Sequence, residues 1–214
     1  MEITYLGHSS FRIKGKTATV ITDPYSDSIG LKFPKVSADI VTVSHIHDDH
    51  NNVQAVSDVK HVFNGPGEYE MMGVSFIGLP TYHDDKKGEV RGKNIVFVIE
   101  IDNLRLAHLG DLGHKLSEKQ LEDMGQIDVL MIPVGGFYTI SQDVAVEVAQ
   151  GVECPVTIPM HYKVDGLSKD LAEKISGYED FIVKMGLPKQ VLPKLNLTKD
   201  TIGENERVVV LEKI

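Results

Sequence analysis

The chain has 214 residues, of which 42% are apolar and 25% charged, a globular balance that excludes a disordered or low-complexity protein. Its 22 Lys and Arg against 31 Asp and Glu give a net charge of −9, which argues against a nucleic-acid partner held by a basic patch. A single Cys excludes an intramolecular disulfide framework and a Cys-based zinc finger, whereas nine His supply the commonest metal-ligating side chain.

No stretch reaches the roughly 18 apolar residues needed to span a bilayer. Met1 to Lys16 lacks the basic and apolar regions of a signal peptide. With Cys154 unpaired, a cytoplasmic location is expected. No repeat, linker or block of like charge divides the chain, so residues 1–214 read as one domain.

The first half reads as strands. Ile3 to Leu6 and Phe11 to Ile13 flank Gly7-His8-Ser9-Ser10, and Ala18 to Thr22 runs into Asp23-Pro24. Ile40 to Val43 is a short apolar run of the kind buried on both faces. Asn52 to Val56 reads as a short helix, Gly65-Pro66-Gly67 as a turn, and Met72 to Leu79 as a strand. Ile95 to Ile101 and Leu104 to Leu109 are joined by Asp102-Asn103, a two-residue hairpin signal. Helices enter later. Ser117 to Gln120 has capping-box form ahead of Leu121 and Met124. Val129 to Val134 is a strand ending at Gly135-Gly136, and Gln142 to Gln150 a helix stopping at Gly151. Val156 to Ile158 is a strand, Leu167 to Ser176 and Glu179 to Met185 are helices, and Val208 to Leu211 is the last strand. Stacked sheets with outer helices fit this order better than a doubly wound parallel sheet.

The sharpest feature is Ser44-His45-Ile46-His47-Asp48-Asp49-His50, directly after the Ile40 to Val43 run. His45 and His47 lie two apart in an extended segment, so both rings can face one metal. Asp49 and His50 fall where the chain bends and could serve a second metal. The alternative, a helix-capping loop with solvated imidazoles, has no need of four candidate ligands, His45, His47, Asp49 and His50, in six residues. Further ligands must come from other strand ends, where Asp23, His83, Asp111 and His161 sit.

The ordered set Asp23, His45-x-His47-x-Asp49-His50, His83, Asp111, His161 resembles the metallo-β-lactamase superfamily. Tyr5 to Phe11, Thr22 to Tyr25, Tyr82-His83-Asp84 and Arg91 to Asn94 resemble its compact branch, which contains the ascorbate-phosphate lactonase and many metal-dependent hydrolases. The resemblance implies an α/β fold built as a four-layer αββα sandwich with the site at one edge. It implies that His45, His47 and His83 hold one divalent ion. Asp49, His50 and His161 would hold a second, with Asp111 bridging. Asp23 would orient a ligand imidazole through its free N–H, and His8 would lie near the site. Zn is the first choice, with Mn or Fe as alternatives. Two such ions about 3.5–4 Å apart can activate a bridging hydroxide, which Asp49 would aim at a small ester, lactone or phosphodiester.

The partner is then a small-molecule substrate, with no membrane; dimeric and hexameric relatives leave a homo-oligomer open. Alternatives are an RNA-processing phosphodiesterase or a non-catalytic metal-binding protein of the same fold. The diiron flavoprotein branch usually carries Glu where this chain has His47. His108 reads as a satisfied buried imidazole, His61 as a strand-edge residue, Asp48 as solvated and Cys154 as structural. His114 reads equally as a rim contact or a bland loop residue, and Tyr82, Tyr138 and Tyr162 read as loop aromatics. Specificity is expected in Asp27 to Lys35, Asp84 to Arg91 and Gly135 to Ser141, with Lys32, Lys35, Lys86, Lys87 and Arg91 available for an anion.

Overall fold

Period-two alternation in the first strands sends apolar side chains to both faces of one sheet. In the computed structural model, which describes residues 1–203 and 205–214, Ile3, Tyr5, Phe11, Ile13, Val20 and Ile40 face a large central core. Leu6, Ile21, Val41 and Val43 form a smaller cluster on the opposite side.

In chain order the strands are β1 (Glu2–Gly7), β2 (Ser10–Lys14), β3 (Thr19–Thr22), β4 (Val36–Ser37), β5 (Ile40–Thr42), β6 (Val56–Ser57), β7 (His61–Phe63), β8 (Gly67–Met71), β9 (Val74–Tyr82) and β10 (Lys93–Ile101). They continue as β11 (Leu104–His108), β12 (Val129–Pro133), β13 (Val156–Met160), β14 (Lys189–Leu192), β15 (Leu195–Asn196) and β16 (Arg207–Leu211). One sheet has the order β15-β1-β2-β3-β5-β7, the other β14-β16-β13-β12-β11-β10-β9-β8, and β4 and β6 form a small separate ladder. Both large sheets contribute to the shared core, where Phe76, Phe97, Leu106, Met131 and Ile158 meet the inner face of the first sheet.

The helices are α1 (Glu118–Met124), α2 (Gln142–Val152), α3 (Lys169–Lys174) and α4 (Glu179–Met185). α2 packs on β12 and on α4, and buries Ala145, Val148 and Ala149. Over the first sheet the outer layer is largely irregular. It consists of two 3-10 turns, Asp27–Ile29 and Val53–Ala55, and the β4–β6 ladder, with α3 packed beside them through Leu171. Among the described residues no helix is long and apolar enough to cross a membrane.

Several elements depart from the sequence expectations. The helix expected at Asn52 to Val56 is one 3-10 turn followed directly by β6. Met72 is not in a strand: Met72 and Gly73 both have positive φ (55° and 75°) and turn β8 into β9. α2 runs through Gly151 to Val152 and stops at Glu153, which takes the left-handed conformation. The 167–176 helix is shorter, at Lys169–Lys174. The Asp102-Asn103 hairpin, with φ of 53° and 64°, and the capping box at Ser117 form as expected.

Strand directions place the site. β1, β3 and β5 run the same way in the first sheet, and β9, β11, β12 and β13 run the same way in the second. Their carboxyl ends therefore gather at one edge, where α/β sheets characteristically bind ligands. Two glycines let the turns there approach closely. A Cβ on Gly113 would collide with the His83–Asp84 backbone, and one on Gly135 with the His161 carbonyl. Gly135→Ala is therefore expected to destabilise the protein by about 1–3 kcal/mol through overpacking, read as a lower urea midpoint. An unchanged midpoint would contradict the close approach.

Candidate metal centre

Each strand end delivers one part of the site. β1 leads to His8, β3 to Asp23, β5 to the His45–His50 segment, β9 to His83, β11 to Asp111 and β13 to His161. His8, Asp23 and His161 all have positive φ (55°, 39° and 52°). Such backbone costs roughly 1–3 kcal/mol per residue and persists where surrounding contacts enforce it. Here the His161 N–H donates to the His8 carbonyl at 2.8 Å, and the Tyr5 hydroxyl donates to the same oxygen at 2.9 Å. This pair of bonds ties the strand-end turns of the two sheets together.

Asp111 lies at the centre. It is buried, and the Nε2 atoms of His83 and His161 each lie 3.2 Å from its Oδ2. His50 Nε2 is 3.2 Å from its Oδ1, and His45 Nε2 is 3.9 Å from Oδ2. Two groups of side chains flank it. His45, His47 and His83 form one, and His8, Asp49, His50 and His161 the other; within each, one donor atom per residue lies within 4.8 Å of the rest. His47 is exposed and Asp49 half-buried, so the centre opens to solvent on their side.

The second layer sets which nitrogen faces inward. Buried Asp23 accepts from the Ser44 N–H at 2.8 Å and from the Ser44 hydroxyl, and lies 2.8 Å from His50 Nδ1. Ser44 Oγ is in turn 2.9 Å from His45 Nδ1. Both rings thus turn Nε2 towards Asp111. His8 Nε2 sits 3.1 Å from Asp49 Oδ2. Asn94 accepts the Asp111 N–H at 3.0 Å, and its amide donates to Leu109 O and Thr81 Oγ1. Ser44 and Asn94 had no role assigned from sequence; the signals there are the adjacency of Ser44 to His45 and the place of Asn94 at the end of the Arg91 to Asn94 motif.

The electrostatics suit cations. Burial pushes His45 down to about 3 and His8 to about 4, so both imidazoles are neutral and have a free lone pair. Burial works against ionisation of Asp111, but His161 and His50 hold its carboxyl well below the usual range. Burial also opposes charge on His50, whose imidazole is nevertheless raised by Asp111 and Asp49. Buried His45 Nε2 has no hydrogen-bond partner, and His50 Nε2 and Asp111 Oδ1 have each other as their nearest polar contact, at 3.2 Å. An orphaned buried atom such as His45 Nε2 is costly unless something coordinates it. A divalent ion requires neutral imidazoles and ionised carboxylates, so on binding it would displace the protons that Asp111 favours on His50 and His161.

All seven expected ligands and both supporting residues meet in this one place. Other expectations are met outside it. His108 is buried, with Nε2 2.7 Å from Ser9 O and Nδ1 accepting the Gly110 N–H. His114 accepts the Tyr82 N–H at 3.2 Å, and His61 is exposed on the edge strand β7. Asp48 is exposed, Cys154 is buried and donates to Val156 O, and Tyr162 is buried against Tyr5 and Tyr178. A cleft of about 410 Å³ opens over His47, Asp49, His83 and Asp111. Ile29, Arg91 and Tyr138, one from each expected specificity loop, wall it. So do Ser168 and Leu171 at the start of α3, which the sequence reading left out. A second cleft of about 610 Å³ lies on the other side of His45 and His47.

Comparison with known proteins agrees with this geometry. Residues 2–161 match the Beta-lactamase superfamily domain. A Thermotoga maritima structure titled as a candidate Zn-dependent hydrolase of the metallo-β-lactamase superfamily has a TM-score of 0.80 and 38% identity. That likeness covers 100% of this chain and 99% of the other. A UPF0173 metal-dependent hydrolase from Methanospirillum hungatei is 28% identical over 197 residues, covering 81% of this chain and 88% of the relative. Another from Thermoplasma volcanium is 29% identical over 214 residues, covering 83% and 94%. The chain belongs to the metallo-β-lactamase superfamily.

Asp23→Asn would turn an amide N–H towards His50 Nδ1 or Ser44. It is expected to weaken divalent-metal affinity about 10–100-fold, measured by chelator competition. Affinity equal to the wild type would show that Asp23 does not orient the ligands.

Proposed function

We propose that this superfamily member is a metal-dependent hydrolase acting on a small ester, lactone or phosphodiester, with two divalent ions held around Asp111. The observation that carries the reading is the ring of imidazole Nε2 atoms around that single buried carboxylate. His45, His47 and His83 would hold one ion; Asp49, His50 and His161 the other; Asp111 would bridge. The relatives named metal-dependent hydrolases and the Thermotoga maritima neighbour support the same class. Divalent ions, Zn first and Mn or Fe as alternatives, would lower the pKa of water and polarise the attacked oxygen.

The chain's own groups supply the rest. Asp23 and Ser44 fix the His50 and His45 rings. Asp49, open to the cleft and braced by His8 Nε2, would accept a hydrogen bond from the attacking water and aim it. The 410 Å³ cleft is in the size range of small-molecule sites, and the charge of −9 disfavours the nuclease alternative. A reducing cytoplasm suits the single, buried Cys154.

His47 is exposed, so His47→Ala leaves the core intact. It is expected to lower kcat/KM for bis(p-nitrophenyl) phosphate or a simple lactone roughly a hundredfold or more in added Zn or Mn. Activity within a few-fold of the wild type would remove His47 from the site. A wild type inactive on esters, lactones and phosphodiesters would sink the hydrolase reading.

A further inference from the structure

At the mouth of the cleft the chain between His83 and Lys93 is wrapped around one carboxylate. Buried Asp84 accepts the N–H groups of Lys86 and Gly88 on Oδ1, at 2.8 and 2.9 Å, and those of Val90 and Arg91 on Oδ2, at 3.0 and 2.7 Å. The loop is closed further by His83 N–H to Gly92 O and Gly92 N–H to Gly88 O. Arg91 is therefore placed by a bonded backbone at a half-buried position that borders both clefts beside His47.

Its guanidinium lies 5.6 Å from the Tyr138 ring centroid and, among the described residues, forms no ion pair or hydrogen bond within the chain. Lys174 approaches the same ring at 5.7 Å, but Asp170 neutralises it at 2.8 Å. A guanidinium lying over an aromatic ring keeps its edge N–H groups for a planar or tetrahedral oxyanion, which it can hold bidentately. Among the described residues, Arg91 borders the centre from a hydrogen-bonded backbone, half-buried and without an ion pair.

We propose that Arg91 determines specificity by binding a second, non-reacting anionic group of the substrate, a carboxylate or a phosphate, while the bond to be broken lies over His47 and Asp49. Asp84 is the positioning residue that holds Arg91 there. The proposal rests on the reading of the metal centre as the hydrolytic site.

The test uses the full-length, metal-loaded protein and needs no turnover. Glutarate and glycerol 3-phosphate are titrated by calorimetry and by the Arg91 Nε–Hε NMR signal, which is assigned by its loss in Arg91→Lys. At least one anion is expected to bind and shift that signal. Arg91→Ala should weaken the binding roughly tenfold or more at unchanged metal content, and Arg91→Lys should recover part of it. The anion preferred identifies the carboxylate or the phosphate. Asp84→Asn should broaden the Arg91 signal and weaken the same anion. The proposal is overturned if neither anion binds the wild type, or if Arg91→Ala binds both as tightly, which would mean the metals alone hold them. An unmoved Arg91 signal in Asp84→Asn would remove Asp84 from the account. Anion binding through Arg91 in a protein that hydrolyses nothing would instead sink the hydrolase reading alone.

Discussion

A buried carboxylate surrounded by imidazoles is unstable without positive charge, and Asp111 is such a group. Its two oxygens face His45, His50, His83 and His161. Protons can supply part of the charge, as the raised His50 and His161 imidazoles indicate, because Asp111 outweighs the effect of their burial. Divalent ions supply it better, since each accepts several neutral donors at once. The orphaned His45 Nε2 would then find a partner. The fold can be read as the apparatus that brings these groups together and keeps them from relaxing apart.

That apparatus is topological. Ligands from both sheets meet because parallel-running strands end at one edge, and because the His8–His161 backbone bond stitches the two sheets there. Gly113 and Gly135 allow the turns to approach without a Cβ between them. The left-handed conformations of His8, Asp23 and His161 are local strain offset by hydrogen bonds on either side. The chain Asp23–Ser44–His45 and Asp23–His50 ties one member of each candidate ligand group to one carboxylate.

Much of the gathering of these side chains was legible in the sequence because the candidate ligands follow β-branched or apolar runs. Val20-Ile21-Thr22 precedes Asp23, and Ile40 to Val43 precedes the His45–His50 segment. What was not legible has physical reasons. β7 is an edge strand of three residues, too short to show a period, whereas β8 does alternate, Glu68-Tyr69-Glu70-Met71, but over too few residues to stand apart from the adjoining Gly65-Pro66-Gly67 turn. Met seldom takes positive φ, so Gly73 is the one turn residue marking that hairpin, a weaker signal than Asp102-Asn103. Gly151 lies inside α2 because a helix tolerates one glycine near its end, and Glu153 takes the left-handed cap instead. Ser44 and Asn94 are ordinary residues whose roles exist only through distant partners, Asp23 at one site and Leu109 and Thr81 at the other. The α3 wall of the cleft was invisible because its contact with the 27–31 loop is tertiary, through the Ser168 N–H to Ile29 O.

The cleft follows from the same arrangement. Its floor is the edge that carries the candidate metal ligands, and its loop walls have their own backbone satisfied internally, as Asp84 satisfies the 86–91 segment. The central claim is that Asp111 sits between two divalent ions. Anomalous diffraction from crystals of the metal-loaded protein tests it most directly. The account predicts two peaks, one among His45, His47 and His83 and one among Asp49, His50 and His161, each adjoining the Asp111 carboxylate. A well-folded protein with no peak in either position, or with a single ion that leaves Asp111 uncoordinated, would contradict it.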